Sequence, residues 1–166
     1  MYYKIDDFLN DWEYEREATL KILDALTDAS LVQKVTAKGR SLGFLAWHIT
    51  ISIGEMMSKT GLKVDAPEEN SDAPSSAIEI RTFYNTASAS LVDEIKTNWK
   101  DDTLNVEDDM YGQKWKRGVT LGVLITHQIH HRAQMTVLMR QAGLKVPGIY
   151  GPSFEEWIAM GMEPMK

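Results

Sequence analysis

The sequence contains no cysteine, so disulfides, thiolate metal ligands and a cysteine nucleophile are excluded together; any bound metal must be held by nitrogen and oxygen. It also lacks an apolar run approaching the roughly 20 residues that cross a bilayer, and its longest patterned segments carry His, Glu or Lys inside them, so no membrane insertion is expected. Positive charge is in deficit: 18 Lys and Arg stand against 24 Asp and Glu, a net charge of −6, and nucleic acid as a polyanionic partner is disfavoured. The segment Met1-Tyr2-Tyr3-Lys4-Ile5-Asp6-Asp7 has neither a basic region followed by an apolar stretch nor an Arg-rich transit character, and the expected location is cytoplasmic. No internal repeat or low-complexity tract is visible.

What is present is the balance of an ordinary folded protein. With 166 residues, 43% of them hydrophobic and 25% charged, the chain is long enough to bury a core without external staples, and one domain over residues 1–166 is expected. Its apolar residues recur at helical spacing. Ile5, Phe8, Trp12, Thr19, Leu23 and Leu26 mark a first amphipathic helix over about 5–26. Thr27 to Lys38 is polar and aperiodic; Ser41 then offers an N-cap for a second helix reaching about Lys59. Thr60 to Ser76 has the chemistry of an exposed connection, and its length permits the next helix to cross the bundle. Ser75 or Ser76 starts a third helix, striped by Ile80, Tyr84, Ala87, Leu91 and Ile95 and ending near Trp99. Asp101 to Gly118 reads as a loop or a short hairpin turning at Gly112. A fourth helix is predicted from a cap at Thr120 to Gln141-Ala142, stopped by Gly143 and Pro147. Ser153 and Glu156 form a capping-box signature for a short terminal helix ending before Gly161. The fold class is therefore all-α, a four-helix bundle with a long second connection.

Four histidines are present, three of them in His127-Gln128-Ile129-His130-His131. At about 100° per residue, His127 and His131 differ by about 40° around the fourth helix and lie one turn apart, so both imidazoles can reach one point. They share a face with Leu124, Gln134 and Leu138, the stripe expected to enter the bundle. His130 lies off to the other side, toward a neighbouring helix or solvent. Two imidazoles at this spacing are a chelating pair, and a metal such as Zn²⁺ seeks further donors; His48, flanked by apolar residues on the second helix, is the remaining histidine to supply one. Three such ligands leave a coordination position open. Hydrogen-bonded core histidines or surface residues are the alternative reading of the same spacing.

The pattern is not that of His-Glu-x-x-His metalloproteases, because position 128 is Gln, which cannot take a proton at neutral pH. Two His with one carboxylate would point to non-haem iron, and Glu55, two turns beyond His48 at an offset of about 20°, is placed to be a proton acceptor, an occasional ligand or a partly exposed helix residue. Glu55 and Gln134 are the candidate catalytic residues beside the metal. Lys114, Lys116 and Arg117 are candidates to hold carboxylates of a cosubstrate, or form a solvated charge run. Trp47, Trp115 and Tyr150 are candidates to line a pocket, or are core.

Taken together, Leu45-Ala46-Trp47-His48-Ile49, His127-Gln128-Ile129-His130-His131-Arg132-Ala133-Gln134 and the tail from Ala142-Gly143-Leu144 to Tyr150-Gly151-Pro152 resemble the DinB/YfiT-like proteins over nearly the whole chain; the one small departure is Ala133, where many relatives have Gly. The resemblance implies an up-down-down-up bundle and a metal triad of His48, His127 and His131. It further implies metal-dependent chemistry, with some relatives being transferases that use low-molecular-weight thiols such as bacillithiol or mycothiol and one branch isomerising maleylpyruvate. The expected cofactor is a divalent ion, Zn²⁺, Ni²⁺, Mn²⁺ or Fe²⁺, which all accept imidazole. A small-molecule substrate, a thiol cosubstrate and a homodimer are expected; a non-catalytic metal-storing or sensing bundle is the alternative.

Overall fold

The computed structural model describes residues 1–164. Its helices are α1 (Ile5–Asp24), α2 (Leu42–Ser58), α3 (Ala77–Asn98), α4 (Arg117–Gln141) and α5 (Phe154–Ala159), with two short 3₁₀ turns at Asp28–Val32 and Asp101–Asn105 and a hairpin of β1 (Glu107–Met110) and β2 (Gln113–Lys116). None of these helices is long and apolar enough to cross a membrane among the described residues. The fold is the helical bundle that the periodicity predicts.

Side-chain pairs along the interfaces give the direction of each helix. Trp12 Nε1 donates to Ser88 O at 3.1 Å and Arg81 meets Asp24 at 2.7 Å, so α1 and α3 run antiparallel. Tyr2 N bonds Gly118 O while Arg132 reaches Glu15 and Thr19, so α1 and α4 run parallel. His48 faces His127 and Gln33 reaches Gln141, which makes α2 and α4 antiparallel. Trp47 packs edge-on to Phe83 and the chain just past α2 bonds Ser90 and Glu94, so α2 and α3 are parallel. The result is an up-down-down-up bundle, with Phe8, Trp12, Tyr84, Ile49, Ile53 and Leu91 sealed at its centre.

Parallel packing of consecutive helices explains the long connection. After a 17-residue α2, about 26 Å at 1.5 Å per residue, the chain must travel back along the bundle before α3 can start. Residues 59–76 do this without regular structure. They are not free of the body, however: Leu62 is buried, and Trp47 Nε1 donates to Ser71 O at 2.9 Å.

Helix ends depart from the sequence reading in three places. α1 stops at Asp24, and the polar stretch after it holds a 3₁₀ turn closed by a Thr27–Ser30 capping box. Ser76 precedes α3 but contributes no side-chain cap; Asp28 of that turn accepts from Ala77 N at 2.7 Å instead. Likewise Asp101, from the second 3₁₀ turn, accepts from Ile5 N at the start of α1. Both carboxylates meet the unpaired N–H groups and positive end of a helix remote in sequence. Thr120 is not the cap of α4, which begins at Arg117 straight out of β2: Arg117 N bonds Val106 O, and Thr120 is buried with its hydroxyl turned back to Lys116 O. Ser41 and Ser153 cap as expected, accepting from Phe44 N and Glu156 N. Gly118 permits the segment before α1 to lie against α4; a Cβ there would stand 2.1 Å from Tyr2 O.

Candidate metal centre

Three imidazoles converge between α2 and α4. His48 Nε2 and His127 Nε2 are 3.1 Å apart, and the ring centroids of His48, His127 and His131 lie 4.5 to 4.9 Å from one another. One ring nitrogen of each falls within 4.8 Å of the others, a group able to hold a metal ion. Metal–nitrogen bonds of about 2.0–2.1 Å set at angles of 90–110° put neighbouring nitrogens about 2.9–3.4 Å apart, so the observed 3.1 Å suits a shared ion. A single proton between His48 and His127 would also give a short contact, yet it would leave the third lone pair aimed at the same point. An ion satisfies all three.

The protonation states agree with that use. Burial lowers the pKa of His48, His127 and His131, and the charge His131 would carry opposes protonation of the other two; His127, which His48 and His130 also oppose, is pushed down from 6.5 to about 4. Arg40, stacked over Phe44, adds to the effect on His48 and His131. Neutral imidazole is the form that binds metal. His131 Nδ1 lies 2.8 Å from Gln134 Oε1, an acceptor only, so Nδ1 carries the proton and Nε2 presents its lone pair inward. His127 Nδ1 is buried with no partner, a cost the site tolerates to keep Nε2 pointed at the other rings.

Gln134 itself is not in the inward stripe where the sequence reading put it. The core face of α4 includes Leu124, Gln128, His131, Met135 and Leu138, centred roughly 60° around the helix from His127 at about 100° per residue. His127 sits on the margin of that face and Gln134 beyond it, exposed, bridging His131 to His130 Nε2 at 3.2 Å. His130 is exposed and outside the three-histidine group, as its angular position predicts. Gln128 is fully buried; its Nε2 donates to Ile49 O at 2.8 Å and fixes α4 against α2 at the residue next to His48.

The centre opens onto a pocket of about 620 Å³ whose walls include His48, His127, Phe44, Trp47 and Ile51, within the usual size range for small-molecule sites. Its far wall holds Glu55 and Tyr111, and the connection from Glu69 to Ala73 covers its side. Glu55 is not a member of the metal group. Its Oε1 pairs with Lys59 Nζ at 2.8 Å and its Oε2 accepts from Tyr111 OH at 2.5 Å. Tyr111 reaches it from the hairpin tip, where Tyr111 (φ 53°) and Gly112 (φ 82°) form the two-residue turn between Met110 and Gln113. A positive φ is easy for Gly and strained for Tyr; the strain delivers this hydroxyl to the pocket. Nothing local in the sequence marks Tyr111, Glu69 or Asp72 as pocket residues, since long-range returns of the chain bring them there.

Other expected contributors lie elsewhere. Lys114 pairs with Asp109, Arg117 holds Asp108 through two hydrogen bonds and stacks on Trp99, and Lys116 is exposed; none of the three lines the pocket. The hairpin's acidic strand β1 supplies their partners: Asp109 and Glu107 stand opposite Lys114 and Lys116 in register, and Asp108 holds Arg117. Of the aromatic candidates, Trp47 lines the pocket, Trp115 packs against Tyr111, and Tyr150 serves a different structure. Its hydroxyl donates to Glu15 Oε1 and accepts from Arg132 Nη2, joining a buried pair in which Arg132 and Glu15 meet at 2.5 Å. Tyr14 OH bonds Ile149 O beside it. The tail after α4 is thereby tied to α1 and α4.

An up-down-down-up bundle with three facing histidines at a pocket defines a class that comparison with known proteins specifies. The DinB family matches over residues 1–164, and the chain belongs to that family. It is 48% identical, over its full length and 99% of the relative, to YrdA, an uncharacterized protein of Bacillus subtilis strain 168. A crystallised DinB-like protein of Bacillus cereus ATCC 10987 superposes with a TM-score of 0.87 at 43% identity, covering 90% of this chain and all of that one. The DinB-like protein YjoA of Bacillus subtilis shares the fold at a TM-score of 0.68 and 17% identity, covering 89% and 99% of the two chains.

Proposed function

We propose that the protein is a metal-dependent enzyme in which His48, His127 and His131 hold one divalent ion, Zn²⁺, Ni²⁺, Mn²⁺ or Fe²⁺, that activates water or a low-molecular-weight thiol toward a small molecule by transfer or hydrolysis. The observation that carries this reading is the convergence of three imidazoles, two of which, His48 and His127, line an open pocket. An enclosed four-ligand site would serve a structural or storage role; here the ligand group keeps access to about 620 Å³ of space. When bound, such an ion supplies a Lewis acid and lowers the pKa of a coordinated water or thiol toward neutrality.

The chain's own residues supply the rest. Gln134 fixes the tautomer of His131, and Phe44, stacked at 5.9 Å on His48, fixes that ring's plane. Glu55, paired with Lys59 and Tyr111 on the far wall of the pocket, is the candidate proton acceptor. A thiol must arrive as a cosubstrate because the chain has no cysteine of its own. Metal analysis of untagged protein tests the proposal: about one ion per chain in the native protein, lost in His48→Ala and His131→Ala, is expected. Stoichiometric metal retained in both variants would remove the ligand set.

A further inference from the structure

The pocket beside the histidines is lopsided in charge. Glu55, Glu69 and Asp72 line it, while among the described residues no Lys or Arg does. Lys59 adjoins its far wall, and Arg40 lies outside, over the Phe44 ring. Between these groups the walls are apolar or aromatic, with Phe44, Trp47, Ile51, Met56 and Val123 running from the histidine end toward Tyr111. Glu55 stands seven residues after His48 on α2, about 10 Å along the helix axis, so the pocket has a metal pole and a carboxylate pole.

The carboxylate pole already hosts one cation. Lys59 Nζ lies 2.8 Å from Glu55 Oε1 and 5.3 Å from the centroid of the Tyr111 ring, the combination of anion and aromatic face by which ammonium groups are held. Glu69 is close enough to act on both Lys59 and Tyr111. Glu55 and Glu69 against the Lys59 ammonium leave the pole negative. An anionic ligand entering here is repelled, and a neutral apolar one strips water from carboxylates and gives nothing back. A ligand cation gains ion pairing.

Resting on the metal-enzyme reading of this same pocket, we propose that its substrate is a small molecule with an apolar body and a positively charged amino or quaternary ammonium group, which Glu55, Glu69 and Tyr111 hold while the rest of the molecule extends toward the histidines. Glu55 is thus a specificity-determining residue as well as a candidate proton acceptor.

Three matched probes test this by calorimetry on the protein as purified, with metal content measured on the same sample: phenethyltrimethylammonium, the neutral phenethyl methyl sulfone and the anionic 2-phenylethanesulfonate. None of them is a strong metal ligand, so the ranking reports the far pole. The ammonium is expected to bind roughly tenfold tighter than the sulfone, with the sulfonate weaker than both, and Glu55→Gln is expected to bring the ammonium and the sulfone together. A sulfone or sulfonate that binds the native protein as tightly as the ammonium would overturn the proposal, as would a preference undiminished in both Glu55→Gln and Glu69→Gln. Should Glu55→Gln fail to fold, the ranking on the native protein decides alone. One ion per chain without an ammonium preference would defeat this inference and spare the metal reading, whereas a preference in a sample without metal would support the inference and defeat that reading.

Discussion

At the scale of single residues, the centre depends on side chains that set the state of each imidazole. Gln134 is the most direct of these. Its Oε1 accepts from His131 Nδ1, and partners of metal-binding histidines are typically worth about 10- to 100-fold in affinity. Gln134→Ala is therefore expected to weaken metal binding by about that factor without unfolding the bundle, a change that competition with a chelator would read. The lowered pKa of His127 gives a second expectation. Its folded value of about 4 lies below the ordinary 6.5, so between these values the unfolded chain binds more protons, and stability falls as the pH drops through that window. Urea midpoints of metal-free protein at pH 7 and pH 4.5 should differ more for the native chain than for His127→Leu. An equal pH slope in both would assign the loss to other groups. The pairing of His127 with His131 was legible because it follows from helical period alone. The displacement of Gln134 was not: apolar stripes have width, and only the packing against α2 shows that His127 marks the stripe's edge.

Among the secondary-structure elements, the most informative contacts join segments far apart in the chain. Asp28 caps α3 from the 3₁₀ turn after α1. Asp28→Ala is expected to cost about 0.5–2 kcal/mol, measurable by denaturant titration; no loss would show that water caps Ala77 N equally well. The tail is held by Arg132, Glu15 and Tyr150, with Arg132 only 3% exposed and Glu15 6%. Removing one partner of a buried ion pair leaves the other charge stranded, at a cost of about 3–5 kcal/mol. Arg132→Met should accordingly lower Tm substantially, and Tyr150→Phe by less. Helices α1 and α3 were legible from their stripes, α2 from its Ser41 cap, the end of α4 from Gly143, and the hairpin turn from Gly112. The trans caps and the tail latch were not, since a lone Asp in a polar stretch or an Arg after a His pair has no local signature of its partner.

Across the whole molecule, one topological fact links fold to site. Parallel α2 and α3 force residues 59–76 back along the bundle, and the return path covers the pocket that the histidines open into. The carboxylates of that connection then set the pocket's charge, while the hairpin ahead of α4 closes its far end with Tyr111. Chain pairing is a further expectation at this scale: a homodimer should sediment at twice the 18.8 kDa of the chain, and a single species at the monomer mass would exclude it. The central claim, that His48, His127 and His131 bind one ion together, is tested most directly by anomalous diffraction at the absorption edge of the metal found in crystals of untagged protein. A single peak about 2.0–2.1 Å from one nitrogen of each of the three rings is expected; a peak on the exposed His130, or one touching His127 and His131 but out of reach of His48, would contradict it.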